Sequence, residues 1–443
     1  SVESFEDYHE FGRQQAREME LGKGDVLVAI TEGGETSSVL GSVDEAVARE
    51  AHAFLLFNNP AEVLCKHLER SKNAISNPKV TVIDLHCGPM AITGSTRMQA
   101  TSSEQLIAGA ALETALNRLI KKAFNGKVPA PLYQEDIDYS EAFASVLDDL
   151  EKAEAVASIA SCIEFEEEIY RKKGLVTYYA GNALLDIFTD TTERAPTFML
   201  PPFKKKDDKL SKPSWAFVKN PLHNTSEAWE DVLGRKPRCL SWTSEDYSRM
   251  GAAQKLISNP PQLKAEDLMK FEIGKEPDAS RLSPNGSAAI MLASLADIQG
   301  KSLKQLTEAF KKLSIPYGKK KMIIVGSTEE KDFLRIPCQP QKSLLSLMER
   351  LAVKLVLNSI SSGTMVRLGR VSGNWMSHVE MTNKKLIDRS IRLVSELCGL
   401  SYEDACYAIF EALHDLEKTP SPGERISPVQ HAIARHGKSR NKS

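Results

Sequence analysis

Apolar runs and the helical spacing of apolar residues divide the chain into strand-like and helix-like stretches. The strand-like runs are continuous and rich in apolar or β-branched residues, and they lie at residues 25–30, 53–57, 80–84, 175–181 and 322–326. Apolar residues three and four positions apart predict helices at 103–124, within 135–173 and from Ser401 onward. Strands that alternate with helices indicate an α/β chain.

Residues 88–103, between a strand-like run and a predicted long helix, concentrate glycines and hydroxyl groups. The N-terminus of a helix has unpaired N–H groups and about half a positive charge, which together favour a phosphate. Ser95 and Thr96 add hydroxyls at this position, and Arg97 adds a bidentate donor. A capped helix start is the alternative, because Ser102 and Gln105 fit a capping box. The residues themselves leave both interpretations open.

Composition limits the range of functions. Among 443 residues, 57 Lys and Arg stand against 59 Asp and Glu, and the formal charge of -2 gives no global attraction to nucleic acid or to an anionic membrane. The seven Cys form no CxxC pair, so we expect free thiols, no metal site and a reducing compartment. No apolar run approaches the roughly 20 residues of a membrane span. We therefore expect a cytoplasmic protein.

The most specific motif is TGSTRM at residues 93–98. It resembles the phosphosugar loop of the sugar isomerase (SIS) domain family, in particular of the N-acetylmuramic acid 6-phosphate etherases and the glucokinase regulatory proteins. Other stretches match the same relatives, among them residues 58–60 (NNP) and 351–363, which contain KLVLN. The resemblance implies a phosphosugar bound by Thr93, Gly94, Ser95, Thr96 and Arg97. It also implies that Lys354 reaches the phosphate held by the other SIS domain.

The resemblance also assigns acidic residues and a second loop. Residues 2–7 (VESFED) place Glu6 at an acid/base position and Glu3 at the substrate, although an acidic helix start would look the same. Residues 190–197 (DTTERAPT) place Glu193 at the second acid, and residues 227–231 (EAWED) repeat 3–7 and add Glu230. The loop after the first strand matches through Gly34 and Thr36, but Gly33 and Glu35 replace a serine and an arginine of the family. The resemblance places Gly34, Thr36 and Ser37 of this loop at the substrate.

By this resemblance the fold consists of two SIS-like doubly wound parallel-sheet domains in a pseudo-dimer, plus a small helical C-terminal module. We expect a first SIS domain at 1–130 that lacks its N-terminal strand and first loop, and a degenerate second SIS domain at 131–363. The second domain has lost the signature near residues 341–345. The helical module is expected at 364–420 and a tail at 421–443.

Three functions fit this resemblance, each without a cofactor. The first is an etherase-like lyase, in which one carboxylate takes a proton from the sugar and another protonates the departing ether oxygen. The second is a non-catalytic regulator that senses an amino sugar 6-phosphate or a fructose phosphate and presents its surface to a protein such as a sugar kinase. The third is a phosphosugar isomerase.

Overall fold

The computed structural model describes residues 5–261, 263–326, 328, 330–381, 384–418 and 426–437. The predicted substrate residue Glu3 lies outside these ranges. The chain forms two compact units. The first comprises Ser1–Ala91, Thr96–Gly109 and Cys239–Lys264, and the second comprises Ile92–Ser95, Ala110–Arg238 and Ala265–Ser443.

Strands and helices alternate along the described residues. The strands are β1 (Val26–Ile30), β2 (His52–Phe57), β3 (Val80–Asp84), β4 (Leu175–Tyr179), β5 (Ala216–Lys219), β6 (Ser287–Ser294), β7 (Lys319–Val325) and β8 (Leu334–Ile336). The helices are α1 (His9–Glu18), α2 (Ser37–Ala48), α3 (Ala61–His67), α4 (Glu69–Ile75), α5 (Gln99–Ala123), α6 (Tyr139–Glu151), α7 (Ala153–Arg171), α8 (Leu184–Phe198), α9 (Thr225–Leu233), α10 (Ser244–Arg249), α11 (Gln254–Ser258), α12 (Ala265–Met269), α13 (Leu295–Gln299), α14 (Leu303–Leu313), α15 (Leu347–Arg367), α16 (Lys384–Cys398), α17 (Tyr402–Lys418) and α18 (Pro428–His436). All five predicted strands form close to their predicted bounds.

The first unit contains a parallel sheet in the order β1-β2-β3. Alternate residues of a strand point to opposite faces. One face, which includes Ala29, Leu55 and Phe57, packs against the apolar side of α2. The other face of β1 carries Val26, Val28 and Ile30, whose side chains stay 42–56% exposed.

A segment from much later in the chain completes the first unit. Residues 239–264 bring Trp242 and Tyr247 against Phe5 and Phe11, with the Phe5 and Phe11 ring centroids 4.9 Å apart and the Phe11 and Trp242 centroids 5.4 Å apart. The Trp242 indole N–H donates to Glu18. This buried aromatic cluster fixes the helix α1 end of the unit, because such rings bury a large apolar area.

The second unit contains a parallel sheet in the order β5-β4-β6-β7-β8. Every residue of β4 and β6 is buried. Helices pack on this sheet, with α8 against β5, α14 against β6 and α15 against β7. This strand order is that of a doubly wound sheet whose connections reverse between β4 and β6. The predicted α/β fold with doubly wound parallel sheets is confirmed.

Several details differ from the sequence expectations. Helix α5 begins at Gln99, so Ser102 lies inside the helix, where its hydroxyl donates to the Met98 carbonyl at 2.7 Å, and the capping-box interpretation is wrong. The stretch expected as a tail contains α18, whose Val429 and Ala432 are fully buried. Within the described residues, no helix is both long and apolar enough to cross a membrane.

Candidate functional site

The TGSTRM motif, residues 93–98, forms a loop that leads directly into α5, and we call it the signature loop. Gly94 has φ +90°, a conformation that favours glycine. Ser95 and Arg97 are buried, at 4% and 5% exposure. The first turn of α5 closes on the loop, because the Thr101 N–H donates to the Thr96 carbonyl at 3.2 Å. Ser95, Thr96 and Arg97 therefore directly precede the N-terminus of a 25-residue helix.

Thr93 anchors the signature loop to a distant turn. Its N–H donates to the Asn374 carbonyl at 2.7 Å, and its own carbonyl accepts from the Met376 N–H at 3.1 Å. The Asn374 side-chain amide also donates to the Thr93 hydroxyl at 3.2 Å. Because its N–H and hydroxyl are engaged in this way, Thr93 holds the loop in place.

A second arginine lies beside the signature loop. A Cβ at Gly94 would be 3.3 Å from Cδ and 3.8 Å from Nε of Arg389, which belongs to α16. Sequence reasoning missed this cation, because nothing in the local sequence connects Arg389 to Gly94, which lies far earlier in the chain.

The loop after β1 is tightly packed within the first unit. Gly34 has φ +70°, and a Cβ there would lie 2.6 Å from Leu64 and 3.0 Å from Phe57, so no larger residue fits without rearrangement. The Thr36 hydroxyl accepts from that of Thr31 at 2.9 Å, and Ser37 begins α2. Close packing thus gives a structural reason for Gly34, apart from the substrate contact predicted for Gly34, Thr36 and Ser37.

The three predicted catalytic carboxylates occupy different surroundings. Glu6 is half-buried in a 3-10 turn of the first unit. Glu193 on α8 and Glu230 on α9 are exposed in the second unit. These two helices pack through Phe188 and Trp229, whose ring centroids lie 5.2 Å apart. The second unit therefore carries two of the three candidates, both of them exposed, on two helices that pack against each other.

A buried ion cluster lies next to Glu193 on α8. Arg194 donates to Asp190 at 2.9 Å and to Glu166 at 3.1 Å. Burial alone would lower the pKa of Arg194, but the Glu166 and Asp190 carboxylates hold this pKa well above its usual value. Tyr178 also donates a hydrogen bond to Glu166. Charges paired in this way are structural, because removing one partner leaves a buried charge uncompensated.

Lys354 lies on α15 and is half-buried. Its ammonium donates to the Asn358 side-chain oxygen at 3.0 Å. The Asn358 amide in turn donates to Asp190 at 3.0 Å. Lys354 is therefore connected to the buried ion cluster through a single side chain.

In the second unit, the backbone N–H groups at the N-terminus of α15 and after β6 are bound by carboxylates of the chain itself. Glu113 accepts from the N–H groups of Leu345, at 2.7 Å, and Leu347, at 3.3 Å, at the N-terminus of α15. Glu349 accepts from the Ala296 N–H after β6 at 2.8 Å. A small cleft of about 100 Å³ remains near the ends of β4 and β6. A carboxylate satisfies these donors much as a phosphate oxygen would, so these N–H groups are not available to a ligand.

Sequence comparisons with known proteins match the chain over short stretches only. A stretch of 66 residues, 15% of the chain, is 46% identical to an N-acetylmuramic acid 6-phosphate etherase of Staphylococcus aureus strain USA300. A stretch of 54 residues, 12% of the chain, is 54% identical to the etherase of Staphylococcus saprophyticus. The chain is related to the etherases over these segments. They cover 22% and 18% of the two enzymes, so the chain spans about a fifth of the curated relatives it matches.

Among solved structures, the C-terminal domain of glucosamine-fructose-6-phosphate aminotransferase from Francisella tularensis matches 82% of this chain and 81% of its own, at 11% identity and a TM-score of 0.42. Tagatose-6-phosphate ketose/aldose isomerase from Escherichia coli matches 81% of this chain and 73% of its own, at 9% identity and a TM-score of 0.40. Comparison with protein-family models gives no match.

Proposed function

We propose that this protein binds a phosphorylated sugar and that the signature loop holds the phosphate. The observation that carries the proposal is the loop itself: two hydroxyl side chains and Arg97 at the N-terminus of α5, with Arg389 beside Gly94. The etherases that match segments of this chain are named for a sugar 6-phosphate, which supports the same ligand class.

The physical basis of the proposed phosphate binding is positive charge that is already in place in the signature loop before the ligand arrives. The helix N-terminus favours an anion, and a guanidinium adds a charge-assisted hydrogen bond. Arg97 is 5% exposed, so water competes little for its donors, and electrostatic interactions gain strength when solvent is excluded. The positive φ of Gly94 lets the backbone turn where a bulkier residue would be strained.

Calorimetric titration tests this proposal. Fructose 6-phosphate and N-acetylmuramic acid 6-phosphate serve as probes, and unphosphorylated fructose serves as the control. We expect saturable binding of at least one phosphosugar and no heat of binding from fructose. Equal affinity for fructose and its phosphate, or binding of neither phosphosugar, would overturn the proposal.

The second candidate function is etherase-like elimination, and the segment 46% identical to an etherase favours it. In that reaction one carboxylate removes the C2 proton and another protonates the departing ether oxygen, which releases lactate and leaves an unsaturated sugar. Glu6, Glu193 and Glu230 are the candidates for these two roles. Such groups contribute about 10²–10⁴-fold to rate.

Incubation with N-acetylmuramic acid 6-phosphate and assay for lactate tests the enzymatic function. If the protein is a lyase and Glu6 exchanges the proton, Glu6→Gln abolishes lactate release but preserves phosphosugar affinity, because the amide keeps the shape of the side chain. Glu193→Gln and Glu230→Gln, assayed in parallel, identify the second group. Release that survives Glu6→Gln rejects the role of this residue. Saturable binding without lactate rejects the lyase and leaves two functions: a sugar-phosphate sensor of the regulator type, whose protein partner would be a sugar kinase, and a phosphosugar isomerase.

A further inference from the structure

The first half of β7 has a strand neighbour on one edge only, among the strands that the structure describes. Residues Lys319–Val325 all pair with β6, but on the other edge the short strand β8 pairs only with Ile323–Val325. The Gly326 N–H, directly after β7, donates to the Ile336 carbonyl of β8 at 3.0 Å. Backbone groups of alternate residues point to the same edge, so those of Lys320 also face this side, where β8 has not yet begun. We call residues 319–322 on this side the open edge.

A cleft of about 360 Å³ lies along the open edge, lined by residues of α14 and β7 and by the segment that leads into β8. Its apolar lining includes Phe310 and Met322, which pack in one hydrophobic cluster. Ser314, directly after α14, also lines the cleft and is fully buried. Its hydroxyl has no hydrogen-bond partner among the described residues. A buried hydroxyl without a partner costs free energy, so an occupant that bonds to it gains affinity.

The cleft lies in a basic part of the chain. Residues 301–335 contain nine Lys and Arg against four Asp and Glu, a formal charge of +5, whereas the whole chain has a formal charge of -2. Lys311 and Lys320 line the cleft and are exposed. Lys311 pairs with Asp332 at 3.0 Å, and Asp332 lies at the same cleft. Positive charge is therefore in excess around the opening.

The alternation of side chains along β7 determines which of its lysines face the cleft. The Lys321 ammonium donates to the Ser161 carbonyl of α7 at 2.9 Å, and the Lys319 ammonium pairs with Glu168 of the same helix at 2.5 Å. Lys320 lies between them in the strand, so its side chain points to the opposite face, toward α14. Of these three lysines, Lys320 is therefore the one whose charge is directed to the cleft.

We propose that the open edge of β7 binds an extended acidic peptide segment of a partner protein, which adds as a strand beside residues 319–322. Main-chain hydrogen bonds to β7 give such a strand its affinity, and its side chains give specificity. Carboxylates on one face of the segment meet Lys311 and Lys320, and the same face reaches the Ser314 hydroxyl. A slip by one residue would turn the carboxylates away from the lysines, so charge fixes the register. A small anion would use the lysines but leave the open edge without a strand partner.

Fluorescence anisotropy with the full chain tests this proposal. A fluorescein-labelled hexapeptide of alternating glutamate and valine is the probe, and the same peptide with lysine in place of glutamate is the control. We expect saturable binding of the acidic probe, weakened by added salt, and no binding of the basic peptide. Absence of binding of the acidic probe, or equal binding of the two peptides, would overturn the proposal.

Lys312 provides a matched control for the charge contact. It is the residue after Lys311 on α14 and is equally exposed, but it lies outside the cleft. Lys320→Glu and Lys312→Glu change the net charge by the same amount. Lys320→Glu should weaken probe binding about threefold to tenfold, because repulsion replaces an exposed ion pair, and Lys312→Glu should weaken it less than about twofold. Equal losses in the two variants would indicate attraction to the basic surface as a whole and would contradict the proposal.

N-methylated probes separate strand pairing from attraction between charges, and they require no change to the protein. Only alternate N–H groups of an extended strand face the neighbouring strand. One probe is N-methylated at its glutamates and the other at its valines, so both keep the charge of the parent peptide. One of them should bind at least about tenfold more weakly than the parent, and the other should bind as the parent does.

The same measurements can reject the strand pairing. If both N-methylated probes bind as the parent does, or both lose affinity equally, the segment does not add to β7 as a strand. Displacement of the probe by inorganic phosphate at constant ionic strength would identify a site for small anions and would also overturn the proposal.

Discussion

Helices α5 and α15 both follow the last strand of a parallel sheet, yet their N-termini have opposite chemistry. The signature loop before α5 presents hydroxyls and Arg97. The N-terminus of α15 is closed by the Glu113 carboxylate, which accepts from two backbone N–H groups and from the Ser343 hydroxyl. A helix N-terminus after a strand is therefore not sufficient for a phosphate site. The side chains of the chain decide whether its donors remain available to a ligand.

The largest expected effect comes from removing the carboxylate that closes α15. Glu113 is fully buried and accepts from three donors, so Glu113→Ala leaves buried donors unsatisfied. We expect a loss of about 3 kcal/mol in the free energy of unfolding, measured by urea denaturation. Glu113→Gln keeps one acceptor oxygen and should lose about 1 kcal/mol. Equal stability of Glu113→Ala and the wild-type protein would show that this carboxylate does not stabilise the N–H groups at the start of α15.

The next largest effect concerns the signature loop before α5. Arg97→Ala should weaken phosphosugar binding by about 1.5–3 kcal/mol, the value of a hydrogen bond to a charged group. Calorimetry with fructose 6-phosphate measures it, at a temperature where circular dichroism shows the variant folded. An unchanged dissociation constant would remove the functional contrast between the two helices.

The second cation should have a smaller effect. Arg389 lies beside Gly94, whereas Arg392 on the same helix is 72% exposed and paired with Asp388 at 2.9 Å. Arg389→Ala should weaken phosphosugar binding about fivefold to tenfold, which corresponds to about 1–1.4 kcal/mol. Arg392→Ala removes the same charge from a side chain that is exposed to solvent, so it should leave phosphosugar affinity nearly unchanged. Equal losses in the two variants would indicate a general charge effect with no local contact.

The smallest effect is a pH dependence in the cleft near the ends of β4 and β6. Burial raises the pKa of the Asp186 carboxyl above its ordinary value of 3.8, against the opposing charge of Arg350. The folded protein then binds more protons than the unfolded chain in the pH range just above 3.8, so the contribution of Asp186 to stability falls as the pH rises through that range. Asp186→Asn should flatten this part of the stability profile in urea titrations. If Asp186→Asn left the slope of stability against pH unchanged, the raised pKa would not belong to Asp186.

The sequence predicted the strands whose apolar runs are long and β-branched, such as β3 with its Val-Thr-Val-Ile run. It missed β6, although all its residues are buried, because the Ala and Ser in Ser287–Ser294 have low strand preference. Strand β5 is four residues long and gives little periodic signal. Pairing between strands, rather than local preference, determines these two.

The same distinction holds for the candidate site. The motif at 93–98 was visible because its residues are adjacent in the chain. Its supports were not, since Asn374 and Arg389 lie nearly 300 positions from the loop they contact. The link from Lys354 to Asp190 through Asn358 likewise joins α15 to α8. Contacts of this kind follow from the fold and have no pattern along the chain.

The late segment that completes the first unit sets an order of events during synthesis. Phe5 and Phe11 leave the ribosome long before Trp242 and Tyr247, which later bury them. At about 5–20 residues per second, the intervening chain takes roughly 10 to 50 seconds to make. During that time the two phenylalanines lack their aromatic partners, and the nascent chain exposes apolar surface of the kind that chaperones bind.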